Sequence, residues 1–437
     1  MGRLNMNLLS AIRRRRRAAE NRRFVTESYR RLIGLDPDRA TVNSYLSMLQ
    51  HGASRNEVLL GIVRSGAYVE RVAGGITQRP CADDVFLAAA YRHVLHRDAD
   101  QDGLRFYGRQ LLEGSDRRHV LEALIASDEH VNRVTSELFD LPSLRQRWPD
   151  QYVEATTKNG QRLPALRVPS AHWFDRLEAA ILENDYYDKP GIWGYSLSRD
   201  KRLMAEIVGA LDPLTVLEIG CSSGTVLQCL HQLGIDVTGL DISPSAVERA
   251  DPSVRDRIRI GDLLSTELHQ TYDVVFGLDV FEHLNPSRLG DYVSRVTSLT
   301  SAGGFVFTNL PAFGDDPVFG TVFPMDLEEW ERDAANGRPF SLLPVDDRGY
   351  PWHGHLVWAD SSWWVGQFEG SGLKREPSLE QALHECYDDY MRENSPARRS
   401  FYVFSHEAQA ASVTRLADQI KRSGSKILSE EWKPQRG

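Results

Sequence analysis

Two short apolar runs, each closing on polar loop residues, set the pattern of the central part of the chain. Val216-Leu217-Glu218-Ile219 runs into Gly220-Cys221-Ser222-Ser223-Gly224, and Val226, Leu227 and Leu230 come next at helical spacing. This predicts a buried parallel strand that turns sharply into a helix, where backbone N–H groups can meet a ligand closely. Val237-Thr238-Gly239-Leu240-Asp241 predicts a second strand ending in a carboxylate. Towards the end, Ala411, Val413, Leu416 and Ile420 give 407–425 the spacing of an amphipathic helix.

The N-terminal third repeats itself. Residues 24–72 and 86–134 align without a gap at an offset of 62, matching Tyr29 with Tyr91, Asp36 with Asp98, Ser65 with Ser127 and Val72 with Val134. Each unit predicts a helix, an Asp-rich turn, a second helix, a turn at Gly52 or Gly114, and a third helix. Two such units pair their apolar faces into one all-α domain. Asp98-Ala99-Asp100-Gln101-Asp102-Gly103 imitates the start of a calcium loop, but Arg109 stands where a bidentate Glu is needed, so a capped turn is the reading.

The chemistry lies at the two strand ends. A carboxylate placed as Asp241 is can take both ribose hydroxyls, so a nucleoside lies across the first two strands. A dinucleotide fingerprint starting at Gly220 would need glycines where Ser222 and Thr225 stand, which disfavours NAD and FAD. The surviving pattern, together with the apolar segments downstream of it, resembles the class I S-adenosylmethionine-dependent methyltransferases. Ile258-Arg259-Ile260-Gly261-Asp262-Leu263 resembles that family's third strand and closing acid. Tyr272 to Leu278, with Asp279-Val280-Phe281-Glu282-His283-Leu284, resembles its fourth strand and "DVFEHL" continuation, and Gly303 to Leu310 its fifth. The resemblance covers about 190–405. It implies a Rossmann-like α/β fold with a seven-stranded sheet, 373–376 and 399–404 supplying the last two strands.

S-adenosylmethionine is the implied cofactor, bound by Glu218, Gly220, Ser222, Gly224, Asp241, Ile242, Asp262, Leu263 and Asp279. In this reading the glycines leave room for the methionine part and Asp241 takes the ribose. Asp262 takes the adenine amino group, Glu218 orients the ammonium, and Asp279 ends the fourth strand where ligand contacts gather. The family usually has Gly where Ser222 stands. In similar enzymes an aromatic segment before the first strand covers the cofactor's amino-acid end, which makes Tyr187, Trp193 and Arg199 candidates.

For the acceptor, the candidate catalytic residues are His283, beyond the fourth strand, and His353 and His355, in an insertion at about 311–360. Histidine is the best-matched general base near neutral pH. The two insertion histidines have no third ligand spaced nearby in sequence, so no metal is expected. Aromatic residues of the insertion (Phe313, Phe319, Phe323, Trp330, Tyr350, Trp352, Trp358) suit a sugar-like ligand or a plain lid core equally.

Composition narrows the rest. Of 437 residues, 41% are hydrophobic and 26% charged, as in ordinary globular proteins. The net charge of −9 divides into +7 on residues 1–23 and −16 on the remainder, and an acidic body argues against a nucleic-acid-binding protein. Cys81, Cys221, Cys229 and Cys386 lack metal-ligand spacing and fit free thiols in a reducing cytoplasm. The run Arg13–Arg17 is either a solvated terminus or a peripheral contact with the inner face of an anionic membrane.

The expected domains are a basic segment 1–23, helical repeats 24–135, a linker and lead-in helix 136–185, a methyltransferase domain 186–406 and a C-terminal helix 407–437. The expected activity is O-methylation of a small-molecule or glycan hydroxyl, with the repeats as a scaffold or protein-docking module. RNA or protein methylation, and a non-catalytic nucleoside-binding scaffold, remain the alternatives.

Overall fold

The structure is a computed structural model. It describes residues 2–429 except 52, 54, 75–80, 100, 139–140, 185, 189–196, 244–246, 248, 324–326, 337–340 and 407–409. The side chains of 2–17 and of several further residues lie outside that description, as do Gly52, Asp100 and Trp193 entirely. The chain forms two compact units, Met1–Leu141 with Tyr187–Trp193, and Pro142–Tyr186 with Gly194–Gly437. Among the described residues no helix is long and apolar enough to cross a membrane.

The first unit is all helical: α1 (Gly2–Ile33), α2 (Arg39–Gln50), α3 (Arg55–Val63), α4 (Gly66–Ala73), α5 (Asp83–Val94), α6 (Gln101–Leu112), α7 (Arg117–Ala126) and α8 (Asp128–Leu138). The basic segment 1–23 is not separate, because α1 continues through it to Ile33. Nor is the third helix of each repeat continuous. Ser65 and Ser127 break it by capping a new helix, their hydroxyls accepting from Tyr68 N and His130 N at 3.3 Å.

The offset of 62 reappears in contacts. Arg71 donates to the Leu32 carbonyl at the end of α1, and Arg133 donates to the Val94 carbonyl at the end of α5. Arg30 pairs with Asp36 as Arg92 pairs with Asp98. In the first repeat Asp38 caps α2 by accepting from Thr41 N at 2.7 Å; its counterpart Asp100 lies outside the described residues. Val58, Leu59, Ile62, Val120, Leu121 and Leu124 fill the shared core.

The second unit is built on a seven-stranded sheet. Its strands are β3 (Thr215–Ile219), β4 (Asp236–Asp241), β5 (Ile258–Ile260), β6 (Tyr272–Leu278), β7 (Thr300–Asn309), β11 (Lys374–Arg375) and β12 (Phe401–Ser405). Their order is β11-β12-β7-β6-β3-β4-β5. Only β12 runs against its neighbours β7 and β11, as expected of the seventh strand. Helices cover both faces. Leu227, Leu230, Leu383 and Val413 pack on one face, and Val293, Val296, Trp364 and Phe368 on the other.

Residues 136–185 are more than a linker. They hold an antiparallel hairpin of β1 (Tyr152–Thr156) and β2 (Arg162–Arg167), and β2 pairs in turn with β9 (Leu342–Pro344) from the insertion. A second small sheet joins β8 (Ala312–Phe313) to β10 (Ala359–Asp360), closing the base of the insertion. Its aromatic residues form a core. Trp330 stacks on Phe313 at 5.1 Å and on Trp358 at 5.7 Å, and Trp330 and Tyr350 are wholly buried. Phe313, Phe319, Trp330, Tyr350 and Trp358 are thus spent on packing, while Phe323 and Trp352 are only half-buried.

Candidate active site

The turn after β3 is fixed by its own chain. Gly220 and Gly224 both take φ +66, and Ser222 takes φ +48, a conformation that favours glycine. A Cβ at Gly220 would meet Val280 Cγ2 at 2.5 Å, and one at Gly224 would meet Ile258 Cδ1 at 2.9 Å. Both glycines are therefore demanded by protein neighbours, not only by room for a ligand. Asp279 at the end of β6 also takes positive φ, +53. Strained backbone of this kind concentrates at functional sites.

Asp241 joins two strand ends. Its Oδ2 accepts from Ser222 N and its Oδ1 from Ser243 N, each at 2.8 Å, which fixes the carboxylate between the turn and β4. Burial raises its pKa, while these two N–H groups favour the charged form. Each oxygen keeps a lone pair for a hydroxyl.

Glu218 is buried beneath the turn, and its Oε2 has no hydrogen-bond partner. Burial drives its pKa well above the usual range; Lys201 opposes that and Asp241 adds to it. A buried carboxylate oxygen without a donor fits a ligand ammonium.

At the adenine end, Asp262 Oδ2 accepts from the Tyr292 hydroxyl at 2.6 Å and Oδ1 from Leu264 N at 2.8 Å. Leu263 is buried, whereas Ile242 is 55% and Leu264 37% exposed, leaving apolar surface at the ends of β4 and β5. Asp279 exchanges hydrogen bonds with Asn309, and Arg398 Nε stands 3.6 Å from its Oδ2. Tyr187 is half-buried, while Lys189 to Trp193 lie outside the described residues. Arg199 turns towards the C-terminal segment instead. It donates to the Ile427 carbonyl and lies over the Tyr390 ring.

The three candidate histidines gather on one side of the unit. His283 meets His355 edge-on at 4.8 Å between ring centroids, and His353 lies 5.5 Å from His355. Burial pushes His283 down to about 4 and His355 well below the usual range. Both are uncharged at neutral pH and too weakly basic to be matched general bases there. His353 sits at φ +55 in the turn Trp352–Gly354. Glu282 joins this group, and one donor atom each from Glu282, His283 and His355 lies within 4.8 Å of the others. Sequence spacing could not show this grouping, because Glu282 and His283 follow β6 while His355 lies in the insertion.

Sequence reasoning assigned no role to Gly239, Tyr292, Asn309 and Arg398, and read Glu282 only as part of the motif after the fourth strand. Gly239 alone carried a signal, as a glycine inside a buried strand: a Cβ there would strike Leu227 at 2.6 Å and Cys221 at 2.7 Å.

This sheet order, with a glycine turn after its central strand and acids closing the next two, defines a class I methyltransferase domain. Residues 217–306 match the family described as "Methyltransferase domain". Residues 9–72 and 77–134 each match "Domain of unknown function (DUF4214)". The chain thus carries a methyltransferase domain behind two copies of a helical domain whose function is not defined.

The ubiquinone biosynthesis O-methyltransferase of Nitrosomonas europaea is 30% identical over 111 residues, 23% of this chain and 46% of that protein. Hemagglutinin 1 of Eikenella corrodens is 26% identical over 135 residues, 30% of this chain and 44% of that protein. The chain thus spans about half the length of the curated relatives it matches. Among solved structures, the CcbJ methyltransferase of Streptomyces caelestis is 22% identical with a TM-score of 0.33, covering 52% of this chain and 96% of its own. CalS10, an amino pentose methyltransferase from Micromonospora echinaspora, is 16% identical with a TM-score of 0.34, covering 52% and 97%.

The cofactor of the class is S-adenosylmethionine, and the residues fit it. Glu218 offers a partnerless buried oxygen for the ammonium, Asp241 a fixed carboxylate for the ribose, and Ile242 and Leu264 apolar faces for the adenine.

Proposed function

We propose that the chain transfers a methyl group from S-adenosylmethionine to a hydroxyl of a small-molecule or glycan acceptor. The bound cofactor supplies an electrophilic methyl carbon on a sulfonium, so the protein's task is to position both partners and to manage the acceptor's proton. Asp241, locked to the Ser222 N–H, holds the ribose; Glu218 holds the ammonium; Asp262, steadied by Tyr292, meets the adenine edge. The insertion carries His353 and His355 over the end of β6, because Leu356 N and Val357 N both donate to the Glu282 carbonyl, at 2.7 and 3.1 Å. The acceptor site is assigned to this edge, and the buried lid aromatics shield it from water.

The observation that carries the reading is the partnerless Glu218 oxygen beneath a turn tied to Asp241. Oxygen is preferred as the methylated atom because several of the curated relatives are named O-methyltransferases. The helical repeats act as a docking module for a protein partner. The acidic body, −16 outside residues 1–23, disfavours RNA as acceptor.

Calorimetry with S-adenosylhomocysteine tests the first half. Binding by the full chain, weakened about 10-fold or more in Asp241→Ala, is expected. Absence of any binding heat or melting shift at millimolar ligand removes the proposal. Turnover of labelled cofactor on envelope-sugar and phenolic fractions tests the second half, and binding without turnover on any fraction favours a non-catalytic scaffold.

A further inference from the structure

Glu282 is wholly buried, and neither carboxylate oxygen has a hydrogen-bond partner among the described residues. Its backbone carbonyl takes the Leu356 and Val357 N–H groups, so only the side chain is left unsatisfied. No described Arg or Lys pairs with it; the nearest opposite partner is His355, Nε2 to Oε1 at 3.8 Å, too long for a hydrogen bond. An isolated buried carboxylate is costly, and such groups are otherwise found paired or bound to metal. Beside it, His355 Nδ1 is also buried without a partner. His283 lies at the same place, its ring 4.8 Å from the His355 ring and near perpendicular at 89°.

We propose that Glu282, His283 and His355 bind a divalent transition-metal ion, zinc or a close congener, beside the methyl-donor turn. Two imidazoles and one carboxylate form a set suited to zinc and its neighbours rather than to calcium or magnesium. Ligand bonds of about 2.0–2.2 Å bring such donors to roughly 3.3 Å from one another. Here they lie within 4.8 Å, so side-chain rotations of about 1 Å close the shell. Asp279, three residues ahead of Glu282, adds negative potential.

Three protein ligands leave coordination positions open, the pattern of a working site rather than a closed structural one. Resting on the methyl-transfer reading, this assigns the acceptor class: a hydroxyl able to sit on the ion. Such a hydroxyl gives up its proton to water near neutral pH. Its oxygen then supplies the electron pair for the new C–O bond, while the C–S bond breaks onto sulfur and leaves S-adenosylhomocysteine. The step needs no protein base, because the ion lowers the pKa of the hydroxyl it holds.

The test uses the full chain freed of metal with a chelator and titrated with Co²⁺, then with Zn²⁺ as competitor. The expected result is saturable binding of one ion per chain with the visible bands of low-coordinate cobalt, and a melting point raised by zinc. Glu282→Gln and His355→Gln should each weaken cobalt about 100-fold or more. The site is overturned if cobalt does not bind, or if its spectrum and affinity are the same in both variants. Should a variant fail to fold, the wild-type titration and zinc competition still decide. S-adenosylhomocysteine calorimetry on the same samples reads the donor site separately: binding there without cobalt sinks the metal alone, and cobalt without that binding sinks the donor reading.

Discussion

Tyr68 and His130 occupy the same position in the two repeats, 62 residues apart, and they hydrogen-bond each other at 2.9 Å. The two halves therefore meet through their own equivalent residues. His130 Nδ1 lies 2.7 Å from the Val94 carbonyl and donates to it, so Nε2 accepts from the tyrosine hydroxyl. Burial lowers the His130 pKa, which keeps that neutral tautomer. Tyr68→Phe leaves a buried Nε2 without its donor and should cost about 1–3 kcal/mol. Chemical unfolding followed by circular dichroism would show it. An unchanged midpoint would mean that the bond does not tie the repeats together.

Gly239 should resist substitution for reasons of space alone. Its φ is unexceptional, yet a Cβ would lie 2.6 Å from Leu227 Cδ1 and 2.7 Å from Cys221 Sγ. Overpacking of this size costs about 1–3 kcal/mol. Gly239→Ala is expected to lower stability by that amount, and Cys221→Ala in the same chain to restore part of it. Denaturant titration of the four chains of the cycle measures the coupling. Strict additivity would contradict the steric account.

Arg375 fastens the insertion to the sheet edge. Its guanidinium bonds both oxygens of Asp316 at 2.9 and 3.0 Å and both of Glu380 at 2.6–3.0 Å, and lies over the Tyr402 ring. Both carboxylates are fully buried. Arg375→Met would leave them facing each other without a cation, a loss of about 3–5 kcal/mol. Lys in its place cannot fork to both acids and should recover only part. Midpoints from urea unfolding would rank the three chains, and a Met variant as stable as wild type would refute the arrangement.

His384 stacks on Phe401 at 4.1 Å, nearly parallel, and burial pushes its pKa down to about 4. The folded state thus favours the neutral ring while the unfolded state binds a proton near pH 6.5. Stability is full above that value and is lost as pH falls from about 6.5 to about 4, by up to about 3 kcal/mol. His130, His283 and His355 shift in the same direction, so the readout is the difference between wild type and His384→Gln. That difference should shrink steadily over this window. A constant gap would show that the ring is not held neutral.

The sheet was legible where burial forces short, mainly apolar runs, as in Val216–Ile219 and Val237–Leu240, and where strand-closing acids stand at fixed places. The hairpin β1–β2 was not. Its strands mix exposed and buried residues, and its third partner Leu342–Pro344 comes from an insertion some 175 residues away in the chain. The repeat offset was plain in sequence, but the break at Ser65 and Ser127 was hidden, because a serine inside an apolar pattern reads as tolerated until its hydroxyl is seen to cap. Asp241 could be read from its strand. The meeting of Glu282 with His355 could not, because only the fold carries the insertion back over the end of β6.

Glu218 separates stability from function. Its carboxylate is buried with Oε2 unpartnered, so burial of the charge costs the fold more than the attraction of Lys201 returns. Glu218→Gln keeps the shape and removes that burden, and stability should be unchanged or higher by about 1 kcal/mol. The same change removes the anion proposed to meet the cofactor's ammonium, and affinity for S-adenosylhomocysteine should fall about 10-fold, since a charge-assisted bond contributes roughly 1.5–3 kcal/mol. Thermal melting and calorimetry on one preparation read both effects. A variant that melts lower but binds as tightly as wild type would reverse the assignment and make Glu218 a structural residue.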